Sequence, residues 1–313
     1  MLIYAIRRLV ATIPVMAIVA LFVFSLLYLA PGDPATIIAG DQATLEDVER
    51  IRVSLGLNEP FVMRFCHWIW RILHGDLGVS IFSNQPVTLM IAQRIEPTVS
   101  LMVLTLVISV LIAVPLGVIG AWLQGSLVDR LVMVFAVLGF SVPVFVVGYV
   151  LAYFFALELD WLPVQGFTPI NAGFWPFLRQ LILPAVALGL IYVALIARIT
   201  RAAMLEVLSQ EYIRTARAKG VGQPQLLFFH ALKNAAVPIV TVIGIGVALL
   251  ISGTVVTESV FALPGLGRLT VDAILRRDYP VIQGVVLLFS FVYVLVNLAV
   301  DLIYKLFDPR IRY

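Results

Sequence analysis

Long apolar runs dominate this sequence of 313 residues. Hydrophobic residues make up 62% of the chain and charged residues 12%, a balance that a water-soluble domain of this size has too little interior to bury. The sequence therefore predicts an all-α integral membrane protein with six transmembrane helices. The six predicted spans cover about 9–30, 98–122, 131–156, 181–201, 235–257 and 281–304.

The distribution of basic residues predicts the orientation of these helices. If both termini are cytoplasmic, that side carries 12 of the 21 Lys and Arg residues but only five of the 18 Asp and Glu residues. Basic loops stay in the cytoplasm, so we predict an N-in, C-in topology. The apolar run behind Arg7 and Arg8 is too long for a cleaved signal peptide, so we expect residues 1–30 to form a retained N-terminal transmembrane helix.

Residues 31–97 are then an external segment with short amphipathic helices. Thr44 and Asp47 resemble a capping box that opens a helix ending near Gly56, and Pro60 begins a second helix. This second helix carries an apolar stripe, formed by Phe61, Phe65, Trp68, Ile69 and Ile72. The stripe either lies in the outer membrane interface or packs on the protein's own spans. Cys66, His67 and His74 lie here without further ligands at suitable spacing, so we expect no metal site.

The predicted spans lack the groups that power or catalyse reactions. Their central portions contain no ionisable residue, and all three histidines lie outside them. This argues against a carrier driven by buried carboxylates and against an intramembrane enzyme. No phosphate-binding GxxxxGK[ST] motif occurs, so we expect no ATP site, no cofactor and no enzymatic activity in the chain itself. Glycine and proline are frequent in the spans, and they indicate either a bundle that changes shape or ordinary close packing.

A polar, basic stretch of about 203–234 interrupts the apolar pattern between the fourth and fifth spans. We predict one short helix capped by Ser209 and ending at Gly220, and a second one beginning at Gly222-Gln-Pro224. Such a stretch either docks into a groove on a cytoplasmic partner or stays near lipid headgroups through its charge. A pair of helices with a defined glycine break favours docking.

Glu211-Tyr-Ile-Arg-Thr-Ala216-Arg-Ala-Lys-Gly220, followed eighteen residues later by Pro238, resembles the EAA motif of ABC-importer permease subunits. In that family the motif forms the coupling helix, which docks on the ATP-hydrolysing subunit. Glu211, Ala216 and Gly220 match the motif, while Tyr212 replaces its alanine, as is common in one subgroup. The resemblance implies that Glu211, Tyr212, Ala216, Gly220 and Val221 form the docking and coupling site.

The subgroup is the dipeptide and oligopeptide class, which also includes glutathione and nickel permeases, and the resemblance covers essentially the whole chain. Five further motifs are similar to its landmarks in order and spacing. They are Leu29-Ala-Pro-Gly-Asp-Pro34, Leu55-Gly-Leu-Asn-Glu-Pro60, Gly75-Asp-Leu-Gly78, Glu258-x-x-Phe261-x-x-Pro-Gly-Leu-Gly267 and Arg277-Asp-Tyr-Pro280. The match is with the first of the two paired permeases of such systems.

This resemblance implies a type I ABC-importer fold, in which residues 98–313 form a five-helix permease core. It implies a second six-span permease, two ATPase subunits that bind the ATP, an external solute-binding protein and a peptide substrate in a bacterial inner membrane. Glu258, Phe261, Pro264 and Gly265 are candidates for an outer gate or a contact with the binding protein. Alternatively, Glu258 is a helix-end residue at the interface. A stand-alone carrier or channel is the alternative function.

Overall fold

The computed structural model of the chain describes residues 2–29, 33–40, 43–54 and 56–307. These residues are almost entirely helical, as predicted, and the one β-bridge among them joins Val79 and Pro86. The motif Leu29–Pro34 lies partly outside the described residues.

The helices divide into long apolar ones and short ones in the connections. The long helices are α1 (Leu2–Leu29), α5 (Val87–Trp122), α6 (Leu127–Ser141), α8 (Phe174–Leu208), α12 (Ala236–Val260) and α14 (Tyr279–Phe307). The short helices are α2 (Pro34–Ala39), α3 (Leu45–Ser54), α4 (Phe61–Leu73), α7 (Val144–Ala152), α9 (Glu211–Ala218), α10 (Gln223–Gln225), α11 (Leu232–Asn234) and α13 (Leu266–Arg276). Two π-helical turns, Tyr153–Glu158 and Leu226–Ala231, and one 3₁₀ turn, Ile170–Ala172, complete the helical structure of the described residues.

Five of the described helices are individually long and apolar enough to cross a membrane. They correspond to the predicted first, second, fourth, fifth and sixth spans. The second and fourth are longer than predicted, because α5 begins at Val87 rather than near 98 and α8 extends from Phe174 to Leu208.

The predicted third span, 131–156, is wrong as a single straight helix. It consists of Leu127–Ser141 and Val144–Glu158, which meet at an angle of 101° and give a sixth span only if the bent pair is counted as one. The break follows from Pro143, which lacks an N–H and disfavours the helical conformation in the residue before it. Val142 accordingly adopts extended angles, φ −97° and ψ 123°.

The described residues form two compact units. Unit 1 comprises Met1–Ile95 and Leu269–Val294, and unit 2 comprises Glu96–Arg268 and Leu295–Tyr313.

Hydrogen-bonded caps set the short helices of unit 1. The predicted capping box is confirmed, because the Asp47 N–H donates to the Thr44 hydroxyl at 3.2 Å and the Thr44 N–H donates to the Asp47 carboxylate at 3.3 Å. Asp33 caps α2 and also forms an ion pair with Arg52 of α3 at 2.6 Å. The hydroxyl of Thr36, which donates to Asp33, and the charge of Arg52 lower the pKa of Asp33.

The apolar stripe of α4 packs on the protein's own first helix. Phe24 of α1 is 2% exposed, and its ring lies 5.1–5.4 Å from the rings of Phe61, Phe65 and Trp68. Of the two alternatives for this stripe, the structure therefore selects packing on a span. The opposite face of α4 exposes Val62 and Trp70.

Helix α8 is the centre of unit 2, where α6, α7 and α12 pack against it. Small residues allow the close approach. A Cβ at Gly117 of α5 would lie 2.6 Å from Thr200, and one at Gly139 of α6 would lie 2.8 Å from Ala194. Several glycines of the spans thus have a packing role, which is the second of the two interpretations given above.

Candidate functional site

Helix α9 contains most of the residues that match the coupling motif, and it follows directly on the end of α8. Gln210 occupies its N-cap position without a side-chain hydrogen bond. The prediction that Ser209 caps this helix is wrong, because the Ser209 hydroxyl donates back to the Glu206 carbonyl at 2.7 Å and Ser209 terminates α8 instead. The preceding helix thus runs further than expected and uses the predicted cap as its own end.

The end of α9 explains the glycine at position 220. Gly220 has φ +81°, a left-handed conformation that residues with a Cβ rarely adopt. Its N–H donates to the Arg217 carbonyl at 3.0 Å, and the Val221 N–H donates to the Ala216 carbonyl at 3.3 Å. These two bonds form a Schellman motif, in which Ala216 and Val221 are the pair that usually makes the accompanying apolar contact. Ala216, Gly220 and Val221 therefore belong to the same helix-terminating motif.

Helix α9 is held to unit 2 by a single fully buried side chain. Ile213 is 0% exposed and lies in a buried cluster with Met204 of α8, Ile239 of α12 and Leu226 of the π-helical turn. Ala216 and Val221 pack against the same cluster from its edge. Burying an isoleucine side chain stabilises the folded state by about 1.5–3 kcal/mol. Ile213 therefore fixes a helix of only eight residues to the bundle.

The other faces of α9 are open. Glu211, Tyr212, Arg214, Thr215 and Lys219 are exposed, and Tyr212 exposes 43% of its surface. Glu211 pairs with Arg214 at 2.9 Å, but both side chains are more than 70% exposed, so this pair adds little stability. A helix anchored by one residue therefore exposes a mixed polar and aromatic surface.

A small cavity of about 240 Å³ lies beside α9. Its lining includes Trp122 at the end of α5, Gln124 after that helix, Leu208 at the end of α8, and Arg217 and Gln223. The second predicted helix, beginning at Gly222-Gln-Pro224, is present but irregular. Its middle half, Leu226–Ala231, is π-helical, and Leu226, Leu227 and Ala231 belong to the buried cluster.

An ion pair that the sequence did not indicate lies near the same end of the bundle. Asp129 of α6 is 4% exposed, and both of its oxygens accept from the Arg201 guanidinium of α8, the second at 2.7 Å. The Gly125 N–H also donates to Asp129 at 2.9 Å. A bidentate, additionally hydrogen-bonded pair of this kind fixes the α5–α6 connection to α8. The two partners are 72 positions apart in the sequence, so no local pattern indicates their contact.

The second predicted site surrounds Glu258, near the end of α12. Its side chain is 0% exposed. The Thr98 hydroxyl of α5 donates to Glu258 at 2.6 Å, and the Arg268 N–H donates to it at 3.0 Å. Thr98 in turn accepts from the Leu266 N–H at 2.8 Å. Glu258 and Thr98 thereby satisfy two backbone N–H groups in the first turn of α13, which have no partner within their own helix.

The loop between α12 and α13, residues 261–265, is shaped around this carboxylate. Phe261 is 2% exposed, and a Cβ at Gly265 would collide with the Glu258 carboxyl group. Of the four residues predicted here, Pro264 is exposed, whereas Glu258, Phe261 and Gly265 are buried. Glu258 therefore has a local structural role in this conformation, and a role of the loop as a gate or a docking surface stays a prediction.

Comparisons with known proteins establish the family. Residues 113–313 match the model of the binding-protein-dependent transport system inner membrane component, and residues 1–102 match the N-terminal model of such membrane components. The chain belongs to this family. It is a permease subunit of an ABC importer and a multi-pass protein of the bacterial inner membrane. The ATPase activity of the importer resides on separate subunits. It works together with an ATPase and a substrate-binding protein.

Similar proteins match the permease over nearly its full length. A probable peptide ABC transporter permease protein of Sinorhizobium fredii is 57% identical, covering 99% of both chains. A putative peptide transport system permease protein of Brucella abortus is 48% identical, covering 98% of both. The glutathione transport system permease protein GsiC of Escherichia coli K12 is 43% identical over 100% of both.

A solved structure of the same fold supports the architecture. An inward-facing form of the MetNI methionine ABC transporter aligns with a TM-score of 0.57 at 19% identity, covering 70% of the permease and 96% of that chain. The fold of the permease is therefore that of type I ABC-importer transmembrane domains.

The packing around Glu258 predicts a steric effect at Gly265. In Gly265→Ala the new Cβ would displace the Glu258 carboxylate from its hydrogen bonds, so we expect a loss of about 1–3 kcal/mol of stability. Thermal unfolding of the purified chain in detergent measures the change. Gly222→Ala is the matched control, because a Cβ at Gly222 meets nothing within 4 Å and its φ is −63°. Equal melting temperatures for the two variants would contradict the role assigned to Glu258.

Proposed function

We propose that the permease forms one half of a heterodimeric peptide channel, with a second six-span permease and two ATPase subunits that bind the ATP. The names of its relatives support the substrate class, because full-length relatives are described as peptide or glutathione permeases. We infer that the substrate is a peptide of the dipeptide, oligopeptide or glutathione class. Family membership sets aside the stand-alone carrier or channel.

We further propose that α9 is the element that receives the movement of the ATPase. The observation that carries this proposal is its construction: an exposed helix, closed by the Gly220 Schellman motif and anchored by the fully buried Ile213. Met204 and Ile239 lie in the same cluster as Ile213, so a displacement of α9 acts directly on α8 and α12. Glu211, Tyr212 and the Ala216–Val221 end supply the docking surface.

The orientation belongs to the same proposal. Docking on an ATPase requires α9 in the cytoplasm, and this agrees with the N-in, C-in topology that the basic residues favour. Unit 1, which contains α2, α3 and α4, then includes the external segment. Closure of the ATPases on ATP moves the two coupling helices together and switches the channel from inward- to outward-facing.

The composition of the complex can be tested by purification. We expect an affinity-tagged permease, expressed at its native level, to retain one different six-span permease and two ATPase subunits. Native mass spectrometry measures the stoichiometry. A complex containing two copies of this chain would contradict the heterodimer, and a purified chain that transports peptide alone would contradict the coupling.

The conformation of Gly220 predicts a graded mutational effect on coupling. Valine at φ +81° is strained by roughly 1–3 kcal/mol, whereas asparagine tolerates left-handed angles. We expect Gly220→Val to lower uptake of a labelled peptide at least about tenfold, with normal membrane insertion, and Gly220→Asn to retain more activity. Normal uptake by Gly220→Val would show that the end of α9 is not required for coupling.

The single cysteine offers a test of orientation. Cys66 lies exposed on α4, so the N-in topology predicts that a membrane-impermeant maleimide labels it in intact spheroplasts. A chain carrying Cys66→Ser and Gly222→Cys moves the thiol to an exposed position next to α9 and is the matched control. We expect this control to react only after the membrane is opened. The reverse pattern would invert the proposed topology.

A further inference from the structure

Unit 1 contains a cavity of about 710 Å³ that is distinct from both sites described above. It lies between α4, the bridged segment 76–86 and the start of α14. Pockets of roughly 300–1,000 Å³ are typical of sites for small ligands. Its polar and charged lining residues include Arg50, Glu59, Arg64, His67, Arg71, Asp76, Tyr279 and Gln283.

Three motifs noted in the sequence meet at this cavity, namely those that contain Glu59, Asp76 and Tyr279. Buried hydrogen bonds join the last two segments. The Ser80 hydroxyl donates to the Asp278 carboxylate at 2.5 Å, and the Ile81 N–H donates to it at 3.3 Å. The wall of the cavity is therefore tied to the start of α14 and is not a loose loop.

Two arginines and a histidine line one side of the cavity. Arg64, His67 and Arg71 follow one another at spacings of three and four along α4, which places them on one stripe of the helix. Arg64 is held in place, because it donates to the Tyr28 hydroxyl at 2.7 Å and lies 5.2 Å from the ring centres of Phe24 and Tyr28. The side chain of Arg71 has no hydrogen bond or ion pair with any residue that the structure describes.

Two largely buried residues contribute polar side chains to the cavity. Tyr279 and Gln283 are each 8% exposed and line the cavity. Within the described part of the chain, neither the Tyr279 hydroxyl nor the Gln283 amide has a hydrogen-bond partner. Both polar groups are therefore open to hydrogen bonds with a polar ligand in the cavity.

Carboxylates complete the lining. Glu59 accepts from the Nδ1–H of His67 at 3.2 Å, and Asp76 accepts from the Gly78 N–H at 2.8 Å through one oxygen. The second oxygen of Asp76 has no partner among the described residues. The cavity therefore offers guanidinium groups, carboxylates and amide-matching groups within one concave space.

We propose that this cavity binds a short free peptide with both termini ionised, as a first site for the substrate on the outer side of the permease. The forked guanidinium of Arg71, supported by Arg64, receives the terminal carboxylate. Asp76 and Glu59 receive the terminal ammonium group, and Tyr279 and Gln283 pair with the peptide amide between them. The proposal rests on the peptide function and the topology given above, and adds a substrate site in unit 1 to them.

Binding of matched peptides to the full-length chain in lipid nanodiscs tests this site. Tri-alanine, its C-terminal amide and its N-acetylated form differ only in their terminal charges. We expect calorimetry near neutral pH to show binding of tri-alanine, with about tenfold or greater weakening for each blocked form. Equal affinities for the three peptides, or no binding of tri-alanine, would overturn the proposal without requiring any mutant to fold.

A second test compares peptide binding by arginine variants. We expect Arg71→Gln to weaken tri-alanine binding about tenfold but to leave the affinity for the C-terminal amide unchanged, because only the carboxylate contact is lost. Arg276→Gln is the matched control, since Arg276 is an exposed arginine of unit 1 outside the cavity. Equal tri-alanine binding by Arg71→Gln and Arg276→Gln would overturn the site.

Uptake measured in cells separates this inference from the proposed function. If cells take up tri-alanine but the three peptides bind equally well in nanodiscs, the cavity is not a peptide site, and the proposed function as a peptide permease is unaffected. Absence of uptake for all peptides tested would overturn the proposed function, and the site with it.

Discussion

Close packing against α8 is the constraint on which unit 2 depends. This helix lies between α6, α7 and α12, and about two thirds of its apolar stretch is buried. In a bilayer, lipid is as apolar as leucine, so helices associate through close contact and polar bonds rather than through expulsion of water. Gly117 and Gly139 permit that contact, and the Asp129–Arg201 pair supplies a polar bond at one end of α8. A core built in this way has little room for gradual deformation.

That rigidity gives the two predicted sites of unit 2 a common physical basis. Ile213 inserts a short exposed helix into the same packed core that α8 and α12 form. Glu258 and Thr98 fix the beginning of α13 to α12 and α5 through backbone N–H groups. In both cases a small element that faces outward is joined to the long helices by contacts that are fully buried. We therefore expect movement at such an element to shift the long helices, because the contacts that join them are closely packed.

Local signals in the sequence predicted local structure well. The Thr44–Asp47 capping box, Pro60 before α4 and the left-handed Gly220 all act within a few residues, and each occurs as expected. Ser209 is the exception, because α8 ends at this residue instead of α9 beginning there. The other incorrect or missing predictions involve distant parts of the chain. Pro143 signals a break but not the 101° between the two halves, because tertiary packing sets that angle. The contacts of Asp129 with Arg201 and of Thr98 with Glu258 span 72 and 160 residues, and no spacing rule reaches so far. The resemblance predicted the family, but the sequence did not indicate the cavity, whose lining comes from five separate segments.

Because α9 is short, a free peptide of the same sequence does not reproduce its surface. An isolated peptide of eight residues is not stably helical in water, because nucleation is unfavourable and only a few backbone hydrogen bonds form. The helix exists because Ile213 is held by the bundle and Gly220 closes its end. A peptide inhibitor that reproduces residues 211–221 would have to bring its own constraint, such as a side-chain staple, to present Tyr212 and Ala216 in the arrangement seen here.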